Sequence, residues 1–203
     1  MRTYSHALLT AALDVGCKAA GLQPNTRTFL IGAVLPDIPF GLLSLASWLY
    51  LGWFSPWFGP ADRFAMRGGL FRLIDYLYFH DPFWLFAHNL FHAPLLLLVF
   101  WGIGRWAERR TLSWGRALVW LAYGCAFHSI VDILTHHTDG PLLFFPLNWS
   151  YRFASPISYW DPAHYGRIFT RFELGLDLLI GVWLLGRWLW GRWRGGERSG
   201  QLG

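Results

Sequence analysis

Long apolar runs, separated by proline-rich, aromatic-rich or arginine-rich stretches, set the organisation of this chain. A hydrocarbon layer of about 30 Å is crossed by about 20 apolar residues in helical form. Residues 83–106, 117–136 and 174–193 meet that length. Two shorter runs come first. Residues 5–20 are amphipathic, and residues 28–35 lead into Pro36-Asp37-Ile38-Pro39 before residues 40–54 turn apolar again. Each proline lacks a backbone donor and disfavours helix at the residue before it, which predicts a break at Asp37. Residues 55–81 mix Gly, Pro, Arg and aromatics, and predict a loop with an interfacial helix. Residues 138–171 predict an ordered loop over the membrane surface. The expected fold is an all-α, polytopic membrane helix bundle, one integral membrane domain over residues 1–203. It has about five membrane-embedded helices, one re-entrant or interfacial segment, and a disordered tail at 194–203.

Composition strengthens this picture. Apolar residues make up 54% of the chain and charged residues 14%, against about 25% charged in soluble domains. Mean hydropathy is +0.30. The 14 Trp residues gather near the ends of apolar runs, where interfacial aromatic belts sit. The lipid bilayer is therefore the expected surrounding, and the composition excludes a disordered chain.

The formal charge is +5, and all but one of the 17 basic residues are Arg. They cluster beside apolar runs, at Arg105, Arg109, Arg110 and Arg116 and again at Arg187, Arg192, Arg194 and Arg198. The positive-inside rule accounts for such clusters and places both in the cytoplasm. No base-reading motif accompanies the charge, so nucleic acid is not an expected partner. The start of the chain lacks the pattern of a cleavable signal. Cys17 and Cys125 form no C-x-x-C, so neither a disulfide framework nor a thiolate metal site is expected.

Ionisable residues inside apolar runs are costly and mark function. His128, Asp132 and His136 are spaced by four and share one helix face. Imidazole and carboxylate at that spacing can converge on one metal ion. His88 and His92 repeat the spacing in the preceding run. Asp37 follows a helix-breaking proline among apolar neighbours and needs a partner. With the Arg clusters in the cytoplasm, the first helix would start at the outer face, which brings His6 to the side where Asp37 and the loop 138–171 are expected. His6, Asp37, His92, His128 and Asp132 are the candidate metal ligands. This nitrogen and oxygen set without thiolates suits a divalent ion, zinc first, with iron or manganese as alternatives. His88 or His136 could accept a proton from water, and Arg152 could hold a phosphate with its guanidinium fork.

These motifs, taken in order, resemble the bacterial inner-membrane metal-dependent hydrolases. They are His6; Leu35-Pro36-Asp37; His88-Asn89-Leu90-Phe91-His92; His128 and Asp132 running on through Thr135 to Gly140; and Pro141-Leu142-Leu143-Phe144-Phe145-Pro146. The His-x-x-x-Asp element is more loosely similar to that of zinc-dependent phospholipases C. The chain departs from the family pattern in the four-residue spacing of His88 and His92 and in the added His136-His137 pair. The resemblance implies a metal site, hydrolase activity and a place in the bacterial cytoplasmic membrane. A site at the membrane surface suggests a lipid or lipid-linked ester. Two other readings remain open from the residues alone. One is a non-catalytic metal-binding or proton-relay membrane protein; the other is a bundle in which histidines only join helices.

Overall fold

The computed structural model describes residues 1–54 and 63–200. The chain is all-α: α1 (Thr3–Ala19), α2 (Thr26–Val34), α3 (Asp37–Phe54), α4 (Arg63–His80), α5 (Pro82–Asn89), α6 (Pro94–Arg109), α7 (Gly115–Thr135) and α8 (Gly166–Gly200), with a 3₁₀ turn at Pro162–His164. No strand occurs among the described residues; Leu142 and Arg152 form an isolated antiparallel bridge.

Helix α7 is central, with α2 packed on one side and α6 on the other. Both crossings depend on glycine. A Cβ on Gly32 would overlap the carbonyl of Leu121, and one on Gly124 would overlap the carbonyl of Phe29. Gly104 lies against Val119, and Gly115 against the backbone of Ala107 and Glu108. Where apolar helices cannot gain by hiding from water, small residues let backbones approach and dispersion holds them. Helix α1 lies against α2 and α8, while α3, α4 and α5 contact one another.

Among the described residues one helix, α7, is long and apolar enough on its own to cross a membrane. Two bent pairs would each add a span if each pair acts as one. They are α2 with α3, bent by 45°, and α5 with α6, bent by 48°. The described residues thus hold one to three segments long and apolar enough to cross a membrane, and the expected count of about five membrane-embedded helices finds no support. The break at Asp37 falls where the prolines predicted it: Leu35 and Pro36 separate the helices, and Asp37 opens α3. The run 83–106 is not one continuous helix. Pro94 restricts Ala93 to extended backbone (ψ 120°) and opens a new helix, the same steric effect. Residues 174–193 lie within α8. One side of that helix carries Glu173 and Asp177, both buried, while Leu178, Leu179, Val182 and Leu185 are exposed.

The segment 55–81, expected as a loop with an interfacial helix, is helical from Arg63 to His80; its residues 55–62 lie outside the described residues. The tail expected at 194–203 continues α8 as far as Gly200, and its last three residues also lie outside them. The connection from α7 to α8 is ordered. Leu142 and Phe145 are fully buried against Leu85 and Ala93. Asn89 fixes it there: its side-chain amide donates to Leu85 O at 2.8 Å, and its Oδ1 accepts from the Leu142 N–H at 2.8 Å.

Candidate metal centre

The two helix breaks and the central helix bring four ligand-type side chains together. Asp37 is the first residue of α3, where the helix dipole favours a carboxylate. His92 lies between α5 and α6. His128 and Asp132 are one turn apart on α7. One possible ligand atom from each of these four lies within 4.8 Å of the other three, so the group could hold a metal ion. His128 Nε2 is 3.0 Å from Asp132 Oδ2 and 3.5 Å from Asp37 Oδ1. His92 Nε2 is 3.6 Å and 3.8 Å from the same two oxygens.

The far side of each imidazole is already committed. His92 Nδ1 is bonded to His88 O at 2.8 Å, and His128 Nδ1 to Ala33 O at 2.7 Å. A carbonyl oxygen only accepts, so each Nδ1 carries a proton and each Nε2 is the atom turned toward the carboxylates. The two Nε2 atoms are 3.2 Å apart. Two imidazole nitrogens and two carboxylate oxygens thus converge, an arrangement that a divalent cation would satisfy with both rings neutral. Holding the outer nitrogen on a carbonyl is also how metal-binding histidines are oriented. The nitrogen and oxygen donor set fits the group expected from the sequence.

His6 is fully buried and stacks on His128, ring centroids 3.7 Å apart. Its Nε2 lies 3.0 Å from Asp132 Oδ1, yet neither ring nitrogen makes an aligned hydrogen bond. His6 thus faces the second oxygen of Asp132, away from the four-residue cluster. The Met1 amino group also sits there, 2.9 Å from Oδ1.

A cavity of about 710 Å³ opens over the cluster, with Asp37, Asp132, His88 and His136 in its lining. His136 caps α7. Its Nδ1 is bonded to Asp132 O at 3.0 Å, and its Nε2 has no hydrogen bond among the described residues. His88 is not part of the four-residue cluster. Its Nε2 meets Tyr78 Oη at 3.1 Å, and its Nδ1 is buried without a partner. Arg152 does not line the cavity. Its guanidinium bonds to Gly140 O and to Tyr78 Oη and lies over the Tyr78 ring, 5.1 Å from the centroid. Tyr78 and Tyr159 line the same cavity. Burial drives both phenols upward, Tyr159 to about 12, so both remain hydroxyl donors at neutral pH.

Several contributors escape sequence reasoning. Thr3 Oγ1 donates to Asp37 Oδ2, and the Ala33 carbonyl holds His128. Neither has a sequence signal. Glu173 and Asp177 on α8 anchor the start of the chain. Arg2 N–H and Nη1 bond to Glu173 at 2.8 Å and 3.1 Å, and Ser5 Oγ donates to Asp177 Oδ2 at 2.7 Å. Two acids four apart at the head of an apolar run are a readable signal, by the same rule that singled out Asp132.

No family model, curated protein or solved structure matches this chain.

Proposed function

We propose that this chain is a membrane-embedded, metal-dependent hydrolase acting on an ester or phosphoester at the membrane surface. The observation that carries the reading is the convergence of His92 Nε2, His128 Nε2 and the Asp37 and Asp132 carboxylates, two of which, Asp37 and Asp132, line an open cavity. A divalent ion, zinc first among candidates, would supply Lewis acidity to a bound ester oxygen and to water.

The chain's own groups divide the remaining work. Asp37, His92, His128 and Asp132 hold the ion, and His6 supports Asp132 from its other oxygen. His136, its Nδ1 held on the Asp132 carbonyl, presents a free Nε2 and accepts the proton of the attacking water. Tyr159 donates its hydroxyl to the substrate. Arg152 holds Tyr78 in the cavity wall rather than touching substrate. The bent pairs α2–α3 and α5–α6 each act as one span beside α7 in a bacterial cytoplasmic membrane, with the breaks at the depth of the site. Irregular backbone at membrane depth is tolerated where it lines such a cavity.

The test is elemental analysis of detergent-purified protein beside Asp132→Ala, followed by hydrolysis of p-nitrophenyl phosphate and p-nitrophenyl acetate. Near-stoichiometric metal that is lost in the variant, with turnover that follows the metal, is the expected result. Folded protein that binds no ion after reconstitution would overturn the reading. Metal without turnover would leave a metal-binding membrane protein.

A further inference from the structure

A second concavity lies between α6 and α7, on a different face of α7 from the metal cluster. Its volume is about 370 Å³, and Leu97, Leu98, Ala126 and Ile130 contribute to its lining. One end starts at Pro94, two residues after His92, and at Ser129, next in sequence to His128. The other end is formed by Trp101 and Tyr123, whose hydroxyl accepts a hydrogen bond of 3.0 Å from the indole N–H. At 1.5 Å per residue, the seven steps from Pro94 to Trp101 make the groove about 10 Å long.

Ser129 is the exception in this lining. It is 1% exposed, and its Oγ is buried without a partner. A buried hydroxyl in an apolar setting is unfavourable unless something bonds to it. Among the lining residues it is the one buried side-chain polar atom without a partner, at the end of the groove that adjoins the cluster. The groove belongs to α7 and to half of a bent pair, the helices suited to a membrane, so it opens where lipid would be.

We infer that this groove holds one acyl chain of a membrane lipid, with the Ser129 hydroxyl donating to the ester carbonyl and the methylene chain running toward Trp101 and Tyr123. An acyl chain supplies what the site lacks, one acceptor at one end and apolar surface for the remaining length. The inference deepens the hydrolase proposal and rests on it for one point only, that the lipid held there is a substrate. It narrows the substrate class to acyl-bearing lipids whose polar end lies at the depth of the metal cluster.

The experiment uses the full chain in phosphatidylglycerol vesicles containing a phosphatidylcholine with a photoactivatable diazirine in one acyl chain. Adducts are mapped by mass spectrometry, and metal content and p-nitrophenyl phosphate hydrolysis are measured on the same samples. Labelling is expected to concentrate on Leu97, Leu98 and Ala126, and to fall at least five-fold in Ala126→Trp. Ile130→Trp, at an exposed position on the groove mouth, gives the same loss should Ala126→Trp not fold. Ser129→Ala is expected to lose labelling from a diazirine placed near the carbonyl, and Ser129→Thr to restore it. Labelling spread evenly over the lipid-facing side chains of α6 and α8, or unchanged in both tryptophan variants, would overturn the inference. So would cross-linking of the groove to a second copy of the chain. Focused labelling without metal would remove the hydrolase reading and leave the groove; metal and turnover without focused labelling would do the reverse.

Discussion

His92 Nε2 and His128 Nε2 face each other across 3.2 Å, while the opposite nitrogen of each ring is fixed on a backbone carbonyl. With both rings neutral, the pair presents lone pairs to one point between two carboxylates. Ion binding to the folded chain alone stabilises it by mass action, about 2.7 kcal/mol at a free concentration one hundred times Kd. Chelation is therefore expected to lower the thermal midpoint, and zinc to restore it. His128→Asn is expected to abolish the zinc-dependent rise. A midpoint indifferent to chelator and zinc in the parent protein would count against the site.

His136 is expected to separate catalysis from metal binding. His136→Gln should keep the metal and lower kcat by about 10²- to 10⁴-fold, the usual worth of a positioned general base. Single-turnover hydrolysis with parallel elemental analysis checks this. Unchanged kcat would remove His136 from the reaction.

The crossing of α2 and α7 has no room for a methyl group. Gly124→Ala and Gly32→Ala are each expected to destabilise by about 1–3 kcal/mol, the usual cost of overpacking. Because α2 also carries the Ala33 carbonyl that holds His128, both variants should bind metal more weakly than their stability loss alone explains. Thermal unfolding and zinc titration on the same samples read the two effects separately.

Removing the Arg2 side chain leaves the Glu173 carboxylate buried with the Arg2 N–H as its remaining partner. Arg2→Ala is expected to cost about 1–3 kcal/mol, and Arg2→Ala with Glu173→Gln less than that. A double-mutant cycle on thermal stability measures the difference.

In the α7–α8 connection, the hydrogen bond from His164 and the Ala163 N–H hold Asp161 below the ordinary carboxylate range. A folded-state value below the unfolded one gives stabilisation that is present above about pH 3.9. It is lost as pH falls through the lower folded value. The 3₁₀ turn is thus expected to loosen on acidification below that range, and Asp161→Asn to remove this acid dependence. Carboxyl chemical shifts followed by NMR titration test it.

Much of the metal cluster was readable because helical spacing does the work locally. His128 and Asp132 needed only the four-residue repeat, and Pro36 announced the break that sets Asp37. Pro94 carried the same message for His92, yet the run 83–106 read as one span because its apolar length outweighed a single proline. His88 shows the limit of the spacing rule. It stacks on His92 as the repeat implies, but its Nε2 is taken by Tyr78, ten residues back on another helix. Arg152 is drawn to Gly140 and Tyr78 by contacts across the fold that no local pattern encodes. The count of about five membrane-embedded helices finds no support because hydropathy measures length and apolarity, and does not register the bends that divide one run into two short helices.

The two histidines are held by different bodies. His92 depends on the carbonyl of His88, in its own chain turn, whereas His128 depends on Ala33, at the end of a neighbouring helix. Ligand bonds of about 2.0–2.1 Å leave little tolerance for misplacement. An ion held by these four residues would therefore require α2 docked in register on α7. Metal occupancy would then be a census of correctly assembled molecules, and a chain with this crossing out of step would be recognisable by its empty site before any loss of helix could be detected.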